Sequence, residues 1–127
     1  MESILIIGLG GFIGAVLRYG LSGYVQALSG SIYFPYGTLA VNLLGCFVIG
    51  FLSQLVESHG LLGPKTRSFL LIGLLGSFTT FSTFGNESLN LLLDGENFFS
   101  LANISLHIFL GLGFIWLGRI AASAVGR

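Results

Sequence analysis

Residues 76–84 read GSFTTFSTF. Five hydroxyl side chains, Ser77, Thr79, Thr80, Ser82 and Thr83, are interleaved with three phenylalanines spaced three apart, Phe78, Phe81 and Phe84, and no charge falls among them. The chemistry open to such a set is replacement of the water around an ion. Hydroxyls both donate and accept hydrogen bonds. A phenyl ring is negative on its face and positive at its edge, so ring edges can solvate a small anion without a fixed charge. A fixed charge would hold the anion too tightly for conduction, because an ion that enters a pore must also leave it. For any single ring, packing or lipid contact is the plainer reading. Three rings alternating with hydroxyls weaken that reading.

Other polar groups stand alone in apolar surroundings. In PYGTLAVNLLG (35–45), Asn42 is flanked by apolar residues and Thr38 lies one turn earlier on the same helical face. An unpaired amide in hydrocarbon is costly. Asn42 therefore either bonds across helices or donates to an anion. Arg18 lies in or near the end of the first apolar run. It either snorkels to the interface or faces an aqueous vestibule and draws in anions. Glu87 is a candidate proton or cation site, or an interfacial acid next to Asp94 and Glu96. In the last apolar run, Asn103, Ser105 and His107 are candidates for pore lining or for packing. His107 has no second ligand at metal spacing. The lone Cys46 forms no intrachain disulfide and reads as a small buried thiol. The glycines of ILIIGLGGFIG (4–14) fail the dinucleotide fingerprint, since the third required position is Ile13. Gly10 and Gly14 read instead as a close-packing pair of the G-x-x-x-G kind.

The elements that must carry these residues are membrane helices. Of 127 residues, 54% are hydrophobic and 8% charged, and mean hydropathy is +0.94. Soluble domains carry about a quarter charged residues. A net charge of zero argues against a nucleic-acid partner. Four apolar stretches, Ser3 to about Val25, Tyr36 to Val56, Phe69 to Leu93 and Phe98 to Val125, each reach the ~20 residues that a ~30 Å hydrocarbon core requires. They are separated at Ser29-Gly30-Ser31 with Pro35, at Glu57 to Arg67 with Pro64, and at Asp94-Gly95-Glu96-Asn97. The expectation is an all-α integral membrane protein with four transmembrane helices forming a single domain over 1–127. Glu2 in place of a basic residue, and the length of the first run, argue against a cleaved signal peptide. Lys65, Arg67, Arg119 and Arg127 would lie on one side, a slight bias toward cytoplasmic termini. Gly73 and Gly76, poor helix formers, predict a break in the third helix near Gly76 to Thr80. Broken backbone at membrane depth persists only where protein or a watery cavity covers it.

Taken together, GGFIGAVLRY (10–19), PYGTLAVNLLG (35–45) and GLLGSFTTFSTF (73–84) resemble the Fluc (CrcB) family of small fluoride channels, over essentially the whole chain. The resemblance implies an antiparallel, dual-topology homodimer in a bacterial-type plasma (inner) membrane, and passive, fluoride-selective export with no enzymatic step. It implies a fluoride pore formed by Asn42, Phe81, Phe84, Ser82, Thr83, Thr38 and Arg18. It also implies a structural sodium ion on the dimer axis, held by the backbone carbonyls of Gly76 and Thr79. The partners expected are fluoride, a second copy and the bilayer. Ser77 departs from the second glycine usual in that family. Two rivals remain: a small multidrug-type transporter, which needs an acid within the first helix where only Glu2 at its very start is available, and a structural subunit of a membrane complex, which would show no ion flux.

Overall fold

The computed structural model describes residues 1–125, so Arg127 of the basic set lies outside them. The chain is all helical: α1 (Glu2–Ser29), α2 (Tyr36–His59), α3, α4 (Phe81–Leu93) and α5 (Asn97–Val125). Here α3 is one rod made of three consecutive pieces, Pro64–Arg67, a π-helical Ser68–Leu75 and Gly76–Phe78. With α3 and α4 taken as one interrupted span, four segments are long and apolar enough to cross a membrane, Glu2–Ser29, Tyr36–Ser58, Pro64–Leu93 and Asn97–Val125. The first and third run a few residues beyond the apolar stretches, because polar ends continue the helix into its caps.

The helix ends follow from local chemistry. Gly30 and Gly60 close α1 and α2 in the left-handed conformation, at φ of 62° and 59°, which residues with a Cβ rarely adopt. Pro64 opens α3 at a position where its missing N–H costs nothing. The loop between α1 and α2 is gathered by Gln26. Its Nε2 donates to the carbonyls of Ser31 and Phe34 at 2.8 and 3.1 Å, and its Oε1 accepts from Gly37 N–H at 3.0 Å.

Packing pairs α1 with α3 and α2 with α5. Small residues permit it. A Cβ on Gly10 or Gly14 would run into the α3 backbone, at the Phe69 and Leu74 carbonyls respectively. Gly50 of α2 and Gly118 of α5 lie against the carbonyls of Ile115 and Phe47 in the same way. Such contact substitutes close van der Waals packing for the hydrophobic driving force that lipid does not supply. The apolar core is small and centres on Val41, Leu75 and Phe78. Two ion pairs tie the end of the molecule that carries the α2–α3 loop. Lys65 meets Glu2 at 2.6 Å, and Arg119 meets Glu57 at 2.8 Å.

Candidate functional site

The predicted break is present, two residues long, at Thr79 and Thr80. Both are extended, with φ/ψ of −89°/155° and −148°/118°, while Gly76 remains helical. The interruption therefore lies at the far end of the predicted window. Asn42 repairs it. The Asn42 Oδ1 accepts from Thr80 N–H at 2.8 Å, and Nδ2 donates to the Thr80 carbonyl at 3.1 Å. An unbroken helix would send Thr80 N–H to the Gly76 carbonyl. That carbonyl thus loses its ladder donor. Thr80 also caps α4, its Oγ1 accepting from Thr83 N–H at 3.3 Å.

A second contact fixes the imidazole. His107 Nδ1 lies 2.9 Å from the Asn103 carbonyl, and Nε2 lies 3.1 Å from Asn42 Nδ2. A carbonyl only accepts, so Nδ1 carries the proton and the neutral ring's Nε2 accepts from Asn42. Both amide hydrogens of Asn42 are then engaged, one by Thr80 and one by His107. The interhelical role foreseen for Asn42 is the one its hydrogen bonds show.

Phe78, before the break, is buried in the core, whereas Phe81 and Phe84 follow it. Phe81 and Phe84 meet edge-on, centroids 5.6 Å apart at 61°, and the Phe84 ring lies 4.3 Å from that of His107. A cavity of about 360 Å³ is lined by residues that include Asn42, Thr79, Thr80, Phe81, Phe84 and His107. A second, of about 260 Å³, is lined by Arg18, Tyr19, Ser22, Thr38, Thr80 and Thr83. Thr80 borders both. The expected pore residues thus fall into two groups on either side of the break: Asn42, Phe81 and Phe84 in one, Arg18, Thr38 and Thr83 in the other. Ser82 is exposed and lines neither cavity, and its Oγ is 3.4 Å from Thr80 Oγ1.

The remaining hydroxyls work inside the chain. Ser77 Oγ donates to the Gly11 carbonyl at 2.8 Å and joins α3 to α1, and Thr79 Oγ1 donates back to the Leu75 carbonyl at 3.0 Å. Thr80 Oγ1 donates to Thr83 Oγ1 at 3.0 Å, and among the described residues the Thr83 proton has no acceptor. Thr38 Oγ1 donates to Glu87 Oε1 at 2.7 Å, while Glu87 Oε2 is buried without a partner among the described residues. In α5, Asn103 and His107 share a face, and Ser105, two positions from each, lies off it. Asn103 is fully buried and donates to Ser88 Oγ at 2.9 Å. The roles of Thr80 and Ser88 escape a reading of the sequence, although a threonine ahead of a new helical turn is an N-cap signal.

Comparison with known proteins agrees with the resemblance. The family model described as CrcB-like protein, Camphor Resistance (CrcB), matches residues 5–119. The fluoride-specific ion channel FluC 1 of Methanosarcina acetivorans is 48% identical over 122 residues, covering 96% of this chain and 92% of that protein. FluC 3 of Methanosarcina barkeri is 42% identical over 125 residues, covering 98% and 93%. FluC of Geotalea uraniireducens is 45% identical over 125 residues, covering 98% of this chain and all of that protein. With the family pattern running through all four spans and relatives above 40% identity along nearly their full length, the chain belongs to the CrcB-like family.

Proposed function

We propose that this chain is a fluoride-selective channel that lets fluoride leave the cell passively across the plasma (inner) membrane, and that it works as a homodimer of two oppositely inserted copies. The observation that carries the reading is the break at Thr79 and Thr80, from which a new helix starts within the membrane span with Phe81 and Phe84 on its first turn. The first N–H groups of α4 have no ladder acceptor, and a helix N-terminus favours an anion. The edges of Phe81 and Phe84 and the Thr83 hydroxyl, whose proton has no acceptor among the described residues, add donors of partial positive charge, and Ser82 stands beside them on the same first turn. Thr38 and Arg18 line the approach, where the guanidinium raises the local anion concentration without holding the ion in the path. Fluoride is small and strongly hydrated, so its water must be replaced by donors at close range. Hydrogen fluoride crosses bilayers as a neutral molecule and dissociates inside, so a passive pore suffices to return the trapped anion.

A second copy is supported by Phe81, which lines the larger cavity yet is 83% exposed, so one chain leaves that wall open. Insertion of the two copies in opposite directions is implied by the family resemblance and is weakly opposed by the basic bias of one end. The sodium ion expected on the dimer axis is compatible with the donors present. The Gly76 carbonyl is released from the helical ladder by the break, and the extended Thr79 puts its own carbonyl outside it. Two such oxygens per chain suit a hard cation, which would tie the two breaks together.

The rival reading, a structural membrane subunit, draws on the internal use of Asn42, Ser77, Thr79 and Thr80. Flux through vesicles containing the purified protein separates the two. The channel reading expects fluoride release far faster than chloride release, and equal or absent release would end it.

A further inference from the structure

Building on the channel reading, we propose that Ser88 and Asn103 are positioning residues that hold Phe84 and His107 together beside the conduction path. The short helix α4 packs chiefly on α5 and meets α2 little. Its first turn is held by Asn42 at Thr80. Two turns later Ser88 holds it to α5. Phe81 and Phe84 lie between these two attachments, so the placement of the rings depends on both.

The two helices meet in rungs. Phe84 and Ser88 are four apart on one face of α4, and Asn103 and His107 are four apart on one face of α5. One rung is the ring contact between Phe84 and His107. The next is the hydrogen bond from Asn103 Nδ2 to Ser88 Oγ at 2.9 Å. Ser100 Oγ adds a bond to the Ser88 carbonyl at 2.7 Å. All three polar residues are buried, at 5% exposure for Ser88, 4% for Ser100 and none for Asn103.

The direction of the lock follows from its atoms. The Ser88 hydroxyl has one proton and gives it to the Phe84 carbonyl at 2.8 Å. It must then accept from Asn103, which turns the amide nitrogen toward Ser88. The amide oxygen is left buried without a partner among the described residues. A leucine would fill that place without leaving an acceptor unmatched. The amide is thus held at a cost to stability, as expected when register matters more than burial. The backbone of Asn103 completes the arrangement, its carbonyl accepting from His107 Nδ1.

The test compares Ser88→Ala, Asn103→Leu, the double variant and Ser88→Thr in vesicles, with fluoride flux, fluoride-to-chloride ratio and thermal unfolding of the purified protein as readouts. Each single variant is expected to lower fluoride flux about tenfold, because the conducting placement of the rings loses a bias worth about one buried hydrogen bond. Ser88→Thr, which keeps the hydroxyl, should retain most of it. Ser88→Ala strands both ends of the buried Asn103 amide and should lower the unfolding temperature; the double variant removes that amide, so its unfolding temperature should recover while flux and selectivity stay reduced. Recovery of flux together with stability would overturn the proposal, as would normal flux in correctly assembled single variants. Should the single variants fail to assemble, the double variant decides alone. Wild-type vesicles impermeable to fluoride would instead sink the channel reading itself.

Discussion

Asn42 holds the Thr80 peptide from both sides, Oδ1 accepting its N–H at 2.8 Å and Nδ2 donating to its carbonyl at 3.1 Å. One side chain from α2 thereby supplies what the helical ladder cannot supply where the third span is interrupted. Without it, a donor and an acceptor would be stranded in a region where water cannot be counted on to reach them.

Replacing Asn42 with Ala should therefore act first on the fold. Two backbone groups lose their partner, at about 1–3 kcal/mol for each buried group left unsatisfied. The expected result is a lower unfolding temperature in detergent and loss of fluoride flux. An unchanged unfolding temperature would mean that Thr80 finds other partners.

The phenylalanines of the opening segment should separate by position. Phe81→Ile or Phe84→Ile removes a ring edge beside the larger cavity, and each should slow fluoride flux while the protein still assembles. Phe78→Ala instead empties part of the core, at about 3–5 kcal/mol, and should show itself as unfolding rather than altered selectivity. Flux assays paired with size-exclusion profiles tell the two effects apart. Normal flux in both Ile variants would remove the ring-edge argument.

Close helix contact gives a further prediction. Gly14→Ala forces a methyl group into the Leu74 carbonyl, and Gly50→Ala does the same at Ile115. Backbone cannot yield as a flexible side chain can, so each should destabilise by about 1–3 kcal/mol. Gly8, around which a Cβ meets nothing within 4 Å, serves as the control and should accept Ala with little change. Thermal melts of the three variants measure the difference.

The freed carbonyls of Gly76 and Thr79 predict a dependence on sodium. Exchange of sodium for a large organic cation should weaken the proposed dimer or lower fluoride flux, and return of sodium should restore both. Mass measurement in detergent alongside flux is the check. Indifference of both to the cation would mean that these carbonyls hold no sodium.

Much of this protein is legible in its sequence because lipid imposes simple rules. Four apolar runs of sufficient length, separated by Gly, Pro and charged residues, lead directly to the helices α1, α2, α3 with α4, and α5. Glycines and hydroxyls in the third run point to its interruption. Family membership is equally a matter of linear pattern, carried by GGFIGAVLRY, PYGTLAVNLLG and GLLGSFTTFSTF.

What a linear pattern does not contain is which atom answers which. Ser77, Thr79, Thr80 and Thr83 look alike in the sequence, yet one joins two helices, one bonds back within its own turn, one caps α4 and one has a proton without an acceptor among the described residues. The break falls at Thr79 and Thr80, past Gly76, because an acceptor and donor 38 positions from Thr80 compensate it there. The neutral tautomer of His107 and the partner of Asn103 are set by the same kind of contact. The sequence by itself determined where the chain crosses the membrane, since burying helical backbone in hydrocarbon depends on local composition. Only the tertiary structure decided which polar groups are left over for an ion, since hydrogen bonds between distant residues depend on atoms meeting within about 3 Å.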